Sequence, residues 1–272
     1  MSRSFAANQS VSDVMKAHPQ DNSTDIWLDV FPRPAVDGHK YHRGHVGIFG
    51  APELNGATRL AASACNRIGV GLVTVVADNN ADIYRTTLPP DIMVRSTLPE
   101  TVTVVLGGSG GVEGEMLNQL HNLSGLRARV FDADALQAQS TAQNFDENCV
   151  LTPHIGEFER MFGSAGVDLV DAAIKAAAMS GAILVLKSSN TIIAHPNGRT
   201  VSGTPTSPYL AKAGTGDVLA GLIAGLLAQG MPHFEACCAA VWIHGEAGIR
   251  LGAGLIANDI PEIIPDILKD IL

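Results

Sequence analysis

AGTGDVLAGLIAGLLAQG, residues 213–230, sets three small residues directly before an apolar run with helical character. Backbone N–H groups at a helix start have no intrahelical partner, and the macrodipole adds about half a positive charge there. Gly214 and Gly216 permit a tight turn and let an anion approach the backbone, so Gly214, Thr215 and Gly216 form a candidate cradle for phosphate oxygens. Asp217 has two readings. It is an ordinary first-turn carboxylate, or it is a base that takes the proton of an attacking hydroxyl beside the held phosphate. In the second reading the helix dipole is expected to keep it ionised. Gly221 and Gly225 interrupt the run, which is too short to span a bilayer.

Working outward, apolar strands alternate with helices. Strands are expected at His45–Gly50, Gly71–Ala77, Val102–Gly108, Ala128–Asp134, Cys149–Pro153 and Ala182–Lys187. Helices are expected at Asn55–Ile68, Glu113–Leu123, Gly156–Phe162 and Val170–Ser180. Pro196-Asn197-Gly198 predicts a hairpin between Thr191–His195 and Arg199–Ser202. Helices over Gly216–Leu227, Phe234–Leu251 and from about Ile260 close the chain. Continuous apolar strands with intervening helices imply an α/β fold with a mostly parallel sheet covered on both faces. Ligands in such folds collect beyond the carboxyl ends of the strands.

The chain has 272 residues, 46% hydrophobic and 17% charged, with a net charge of −9. One domain over 25–272 is expected, preceded by a flexible tail or arm at 1–24. The acidic balance argues against nucleic acid or an anionic membrane as a general partner. Residues 1–24 carry no apolar run of signal-peptide length, and Cys65, Cys149, Cys237 and Cys238 lack zinc-site spacing. Reduced thiols in a cytoplasmic protein are expected.

Four further clusters fall at strand ends. In Leu151–Phe158, His154 and Glu157 either line a polar pocket or cap and solvate a helix. Lys187, Ser188, Ser189, Asn190 and Thr191 offer donors suited to a nucleotide, or form a polar loop. Asp132 and Asp134 could organise Mg²⁺ through water or cap the next helix. Gly107–Gly111 (GGSGG) wraps a ligand or simply turns. No Walker-type P-loop occurs, and a Rossmann fingerprint lacks its acidic partner.

In order, GHVGIFGAPELNGATRLAASACNRIGVGLVTV, VFDADAL, VLTPHIGEFERMFG, VLKSSNTIIAHPNG, AGTGDVLAGLIAGLLAQG and HGEAG…GLIANDI resemble the ADP/ATP-dependent NAD(P)H-hydrate dehydratases over about residues 40–268. The resemblance implies a ribokinase-like three-layer α/β/α fold, without the epimerase domain that often precedes it. It implies that a nucleotide, ADP or ATP with Mg²⁺, phosphorylates the hydroxyl of hydrated NADH or NADPH. Loss of phosphate then restores the ring. By position, Asp217 is the implied base and substrate contact, beside an anion hole of Gly214, Thr215 and Gly216. Ala57, Gly107, Gly111 and His154 match substrate contacts, and Lys187–Thr191 with Gly216 match nucleotide contacts. The resemblance also suggests a homo-oligomer, a tetramer in particular. Three positions depart from the family pattern: Ser109, Ser188, and Tyr209, whose ring is expected to crowd the pocket. They keep open a vitamin-precursor or sugar kinase of the same fold, or a nucleotide-binding protein with weakened catalysis.

Overall fold

The computed structural model describes residues 19–78, 80–112, 114–137 and 145–272. Among these, the strands are β1 (Gln20–Asp21), β2 (His45–Phe49), β3 (Leu72–Val76), β4 (Met93–Arg95), β5 (Val104–Gly107), β6 (Ala128–Phe131), β7 (Cys149–Leu151), β8 (Ile183–Leu186), β9 (Ile192–Ala194) and β10 (Thr200–Ser202). The helices are α1 (Asn55–Arg67), α2 (Ala81–Thr87), α3 (Gly114–Asn122), α4 (Asp134–Gln137), α5 (Ile155–Phe162), α6 (Leu169–Ser180), α7 (Thr215–Ala228), α8 (His233–Leu251) and α9 (Asp259–Ile271).

One sheet runs β1-β10-β9-β8-β7-β6-β5-β2-β3-β4. Its pairings are parallel except where β9 lies antiparallel to β8 and β10, which is the hairpin read from Pro196-Asn197-Gly198. The central strands β2, β5 and β8 are buried along their whole length, as sheets covered on both faces require. Two separate apolar clusters lie against the two faces. One gathers α1, α7, α8 and α9, and the other α3, α4, α5 and α6. This is a three-layer, ribokinase-like α/β/α arrangement.

The apolar run in α7 is buried from Val218 to Ala228, sandwiched between the sheet and neighbouring helices. Its glycines set the spacing. A Cβ at Gly221 would lie 2.3 Å from the Ala61 carbonyl oxygen, and one at Gly225 would lie 2.4 Å from Ile68 Cγ2. α1 and α7 therefore pack nearly backbone to backbone.

Two elements were not expected from sequence. α2 is short, and β4 is a half-exposed edge strand without clear alternation, so neither carries a strong periodic signal. The expected tail over 1–24 is corrected at its end. Gln20 and Asp21 pair with Val201 and Ser202, and Asn22 Nδ2 donates to the Cys238 carbonyl at 2.8 Å. Residues 1–18 of that expectation lie outside the described residues. All four cysteines are free and buried. Among the described residues, no helix is long and apolar enough to cross a membrane.

Candidate active site

The carboxyl ends of β5, β6, β7 and β8 deliver Ser109, Asp132, Thr152 and Lys187 to one edge of the sheet, and the start of α7 meets them there. Gly214 caps α7 at φ 91°, a left-handed conformation that favours glycine. Among the described residues, no backbone carbonyl reaches the amides of Gly216 and Asp217. The Asp217 N–H instead meets its own carboxylate, which leaves the Gly216 N–H as the free donor of the candidate anion hole. Thr215 contributes less than expected. Its hydroxyl donates back to the Leu210 and Lys212 carbonyls at 2.7 and 2.9 Å, so it ties the turn together rather than facing a ligand.

Lys187 closes the cradle. A Cβ on Gly216 would stand 3.4 Å from Lys187 Nζ, which places the ammonium beside the free amide. Its Nζ donates to Asp132 Oδ1 at 2.5 Å and lies 4.0 Å from Glu157 Oε2. Asp132 and Glu157 are both buried, and Thr152 Oγ1 also donates to Asp132 Oδ1 at 2.8 Å. Burial by itself would lower the Lys187 pKa. The Asp132 charge and hydrogen bond, then Glu157 and Asp217, outweigh it and hold the pKa above the ordinary lysine range.

Asp217 accepts a hydrogen bond from Ser109 Oγ at 2.8 Å. Burial, followed by the negative charge of Asp132, pushes its pKa up to about 6, against the lowering effects of Ser109 and Lys187. Desolvation is the largest of these influences. A carboxylate with that pKa remains mostly ionised at neutral pH and is a stronger base than an exposed aspartate. Ala57, Ser109, Asp132 and Asp217 line one narrow cavity.

A second cavity of about 570 Å³ opens on the other side of the α7 N-terminus. Lys187, Ser188, Ser189 and Thr191 line one wall, Gly203–Ala211 contributes another, and Thr215 and Gly216 lie between. This volume falls in the range of small-molecule sites. Asn190 does not line it. Instead its amide and carbonyl close a turn on the Ser188 hydroxyl, at 3.3 and 2.7 Å. Tyr209 is 48% exposed and absent from the lining, so the expected crowding does not occur. His244, which the sequence reading passed over within HGEAG, lines this cavity. It is 9% exposed, its Nε2 has no partner, and burial pushes its pKa down to about 4.

Other expected contacts lie around the margin of the cradle, where His154 bridges to Lys187 in parallel register. His154 caps α5 in a reciprocal box: Nδ1 accepts from the Glu157 amide at 3.2 Å, and Glu157 Oε2 accepts from the His154 amide at 2.7 Å. Gly107 is buried, and a Cβ there would lie 2.6 Å from Leu120 Cδ2; the neighbouring Gly108 faces the cavity instead. The amides of Gly110 and Gly111 donate to Asp134 Oδ2 at 2.7 and 2.8 Å, so Asp134 shapes the glycine loop.

A helix start, an adjacent ammonium and a raised-pKa carboxylate thus meet at the open edge of a parallel sheet. The chain belongs to the NAD(P)H-hydrate dehydratase family, whose sequence model matches residues 46–268. It is 34% identical over 265 residues to the ADP-dependent (S)-NAD(P)H-hydrate dehydratase of Neisseria meningitidis serogroup B, covering 85% of this chain and 87% of that protein. It is 35% identical over 271 residues to the bifunctional NAD(P)H-hydrate repair enzyme of Methanopyrus kandleri, covering 91% of this chain and 53% of that protein. The chain thus spans about half the length of the bifunctional relatives it matches. The ADP/ATP-dependent NAD(P)H-hydrate dehydratase of Bacillus subtilis, co-crystallised with ATP and Mg²⁺, superposes with a TM-score of 0.84 at 26% identity, over 94% of this chain and 100% of that one.

Proposed function

We propose that this protein dehydrates (S)-NAD(P)H hydrate back to NAD(P)H at the expense of ADP or ATP. The observation that carries the reading is Asp217, a carboxylate with a pKa near 6, beside the Gly216 amide and Lys187 in a chain of this family. Asp217 takes the proton from the ring hydroxyl as its oxygen attacks the terminal phosphoryl group. The Gly216 amide holds a phosphoryl oxygen, and Lys187 offsets the growing charge. The nucleotide leaves one phosphate shorter. The ring C–O bond, its oxygen now phosphorylated, then breaks as the ring-nitrogen lone pair expels phosphate, and loss of a proton from the neighbouring carbon restores the double bond. Phosphate departs readily where hydroxide does not.

The nucleotide occupies the 570 Å³ cavity, with its phosphates at Gly216 and the Lys187–Thr191 segment along one side. Mg²⁺ would enter with those phosphates and neutralise them, since among the described residues no group of three or more His, Cys, Asp or Glu could hold a metal alone. Asp132 is held by Lys187 and Thr152 and lines the neighbouring narrow cavity. The carboxylate of Asp134, occupied by the glycine loop, is a poor fit. We place the start of the domain at Gln20, where β1 joins the sheet, and the protein in the cytoplasm as a homo-tetramer; exposed Ile249 and Ile256 support a subunit contact.

The test is incubation with hydrated NADH or NADPH, Mg²⁺ and either nucleotide, following recovery of reduced-nicotinamide absorbance and release of phosphate. Recovery in step with phosphate release is expected. A stable phosphoester formed from a sugar or vitamin precursor would replace this reading with a small-molecule kinase. Nucleotide binding without turnover would replace it with a binding protein.

A further inference from the structure

A third cavity, also of about 570 Å³, lies at the opposite edge of the sheet, lined by Arg33, His39, Lys40, His42 and Arg43 together with Val70 and Gly71. Its residues immediately precede β2 and β3 at their amino ends, whereas the catalytic groups follow the carboxyl ends. α7 spans the separation. Its first turn forms the candidate anion hole, and at its far end a Cβ on Gly44 would lie 2.0 Å from the Ala228 carbonyl oxygen. Fourteen helical residues at about 1.5 Å each separate the two places by about 20 Å.

The charge in this cavity stands against that of the chain, which is −9 overall. Arg33, Lys40 and Arg43 bring three permanent cations to one space, and among the described residues none of them forms an ion pair. Asp37, the one carboxylate in this stretch, does not line it. Like charges gathered without a counter-charge repel one another, and a bound anion relieves that cost. Part of the need is met internally: Arg43 lies over Gly69 at the C-terminus of α1, where a cation is favoured. Arg33 and Lys40 remain for a ligand. Beside them, His39 and Tyr41 stack at 5.3 Å with an interplanar angle of 18°, and Tyr41 is 51% exposed. Lys40 Nζ lies 5.4 Å from the Tyr41 ring centroid, and it is His39 that lines the cavity and offers a flat surface next to the charges.

We propose that this cavity is a second, non-catalytic binding site for a nucleoside polyphosphate. The phosphates meet Arg33 and Lys40, with Arg43 behind them at the end of α1, and the base stacks on His39. Spaced cations suit a chain of phosphates better than a single one, and the volume admits a nucleotide.

The full-length protein is titrated calorimetrically with ATP at low salt, alongside the double variant Arg33→Ala/Lys40→Ala. Both side chains are exposed, and melting temperature confirms folding. One binding event is expected to weaken at least about tenfold in the variant, the loss expected for hydrogen-bonded charges, while the nucleotide KM of the catalytic reaction stays unchanged. Lys40→Glu should weaken the same event, and the imidazole NMR signals of His39 and His42 should move on addition of ATP. If the catalytic site binds no nucleotide, the event lost in the variant is still observed, so the two readings fail separately. Unchanged isotherms in both variants would overturn the site. Equal affinity for ATP and inorganic tripolyphosphate would overturn the assignment to a nucleoside.

Discussion

Replacing Asp217 with asparagine is expected to slow turnover sharply and make the fold more stable. The substitution keeps shape and a carbonyl oxygen that still accepts from Ser109 Oγ, but it removes a charge held in an unfavourable place. The rise of the Asp217 pKa from an ordinary 3.8 to about 6 corresponds to about 3 kcal/mol against the ionised form, at about 1.4 kcal/mol per pKa unit. Solvent reaching this partly exposed side chain trims the figure to about 2 kcal/mol. The sign follows from linkage. Below pH 4 the carboxyl is protonated in both folded and unfolded chains, and it contributes nothing. Between 4 and 6 the folded state holds the proton while the unfolded state releases it, so stability falls as pH rises. Above 6 the whole penalty is present. Asp217→Asn should therefore unfold at higher denaturant than the parent at pH 8, by about 2 kcal/mol, and match it near pH 4. Domains approaching this size gain about 2–4 °C in Tm per kcal/mol. Turnover should fall about 10²-fold or more, the scale for losing a general base. Chemical denaturation at pH 4, 6 and 8 with parallel kinetics measures both. A variant no more stable than the parent at pH 8 would refute the claim that burial strains this carboxylate. Near-normal turnover would remove it from catalysis.

Ser109→Ala removes the hydrogen bond that lowers the Asp217 pKa, so the acid limb of kcat/KM should move to a midpoint above 6; an unmoved profile would separate Ser109 from the base. Lys187→Met leaves Asp132 and Glu157 buried without their cation, which should cost about 3 kcal/mol by denaturant melt. Its turnover should drop about 10²-fold as phosphoryl charge goes unmatched. Gly221→Val puts a Cβ 2.3 Å from the Ala61 carbonyl and should destabilise the fold by about 3 kcal/mol through overpacking, read as a lower Tm.

Much of the molecule is determined locally. Apolar runs such as AILVLK can be satisfied only by burial on both faces, and the small residues of AGTGD leave a free amide wherever that helix begins. The order of strands and helices, the antiparallel hairpin and the place of Asp217 in a first turn all follow from pattern and chain connectivity. What pattern cannot express is which strand ends become neighbours. Asp132 and Lys187 are 55 residues apart, and Ser109 and Asp217 are 108 apart; only the sheet order brings them within hydrogen-bond distance. That proximity, with the burial that accompanies it, raised the base strength of Asp217. It also drew Thr215 and Asp134 into holding loops, turned Tyr209 away from the cavity and set His244 inside it. Sequence periodicity reports which face of an element is apolar; electrostatic environment depends on contacts across the fold, and those were decided by tertiary packing.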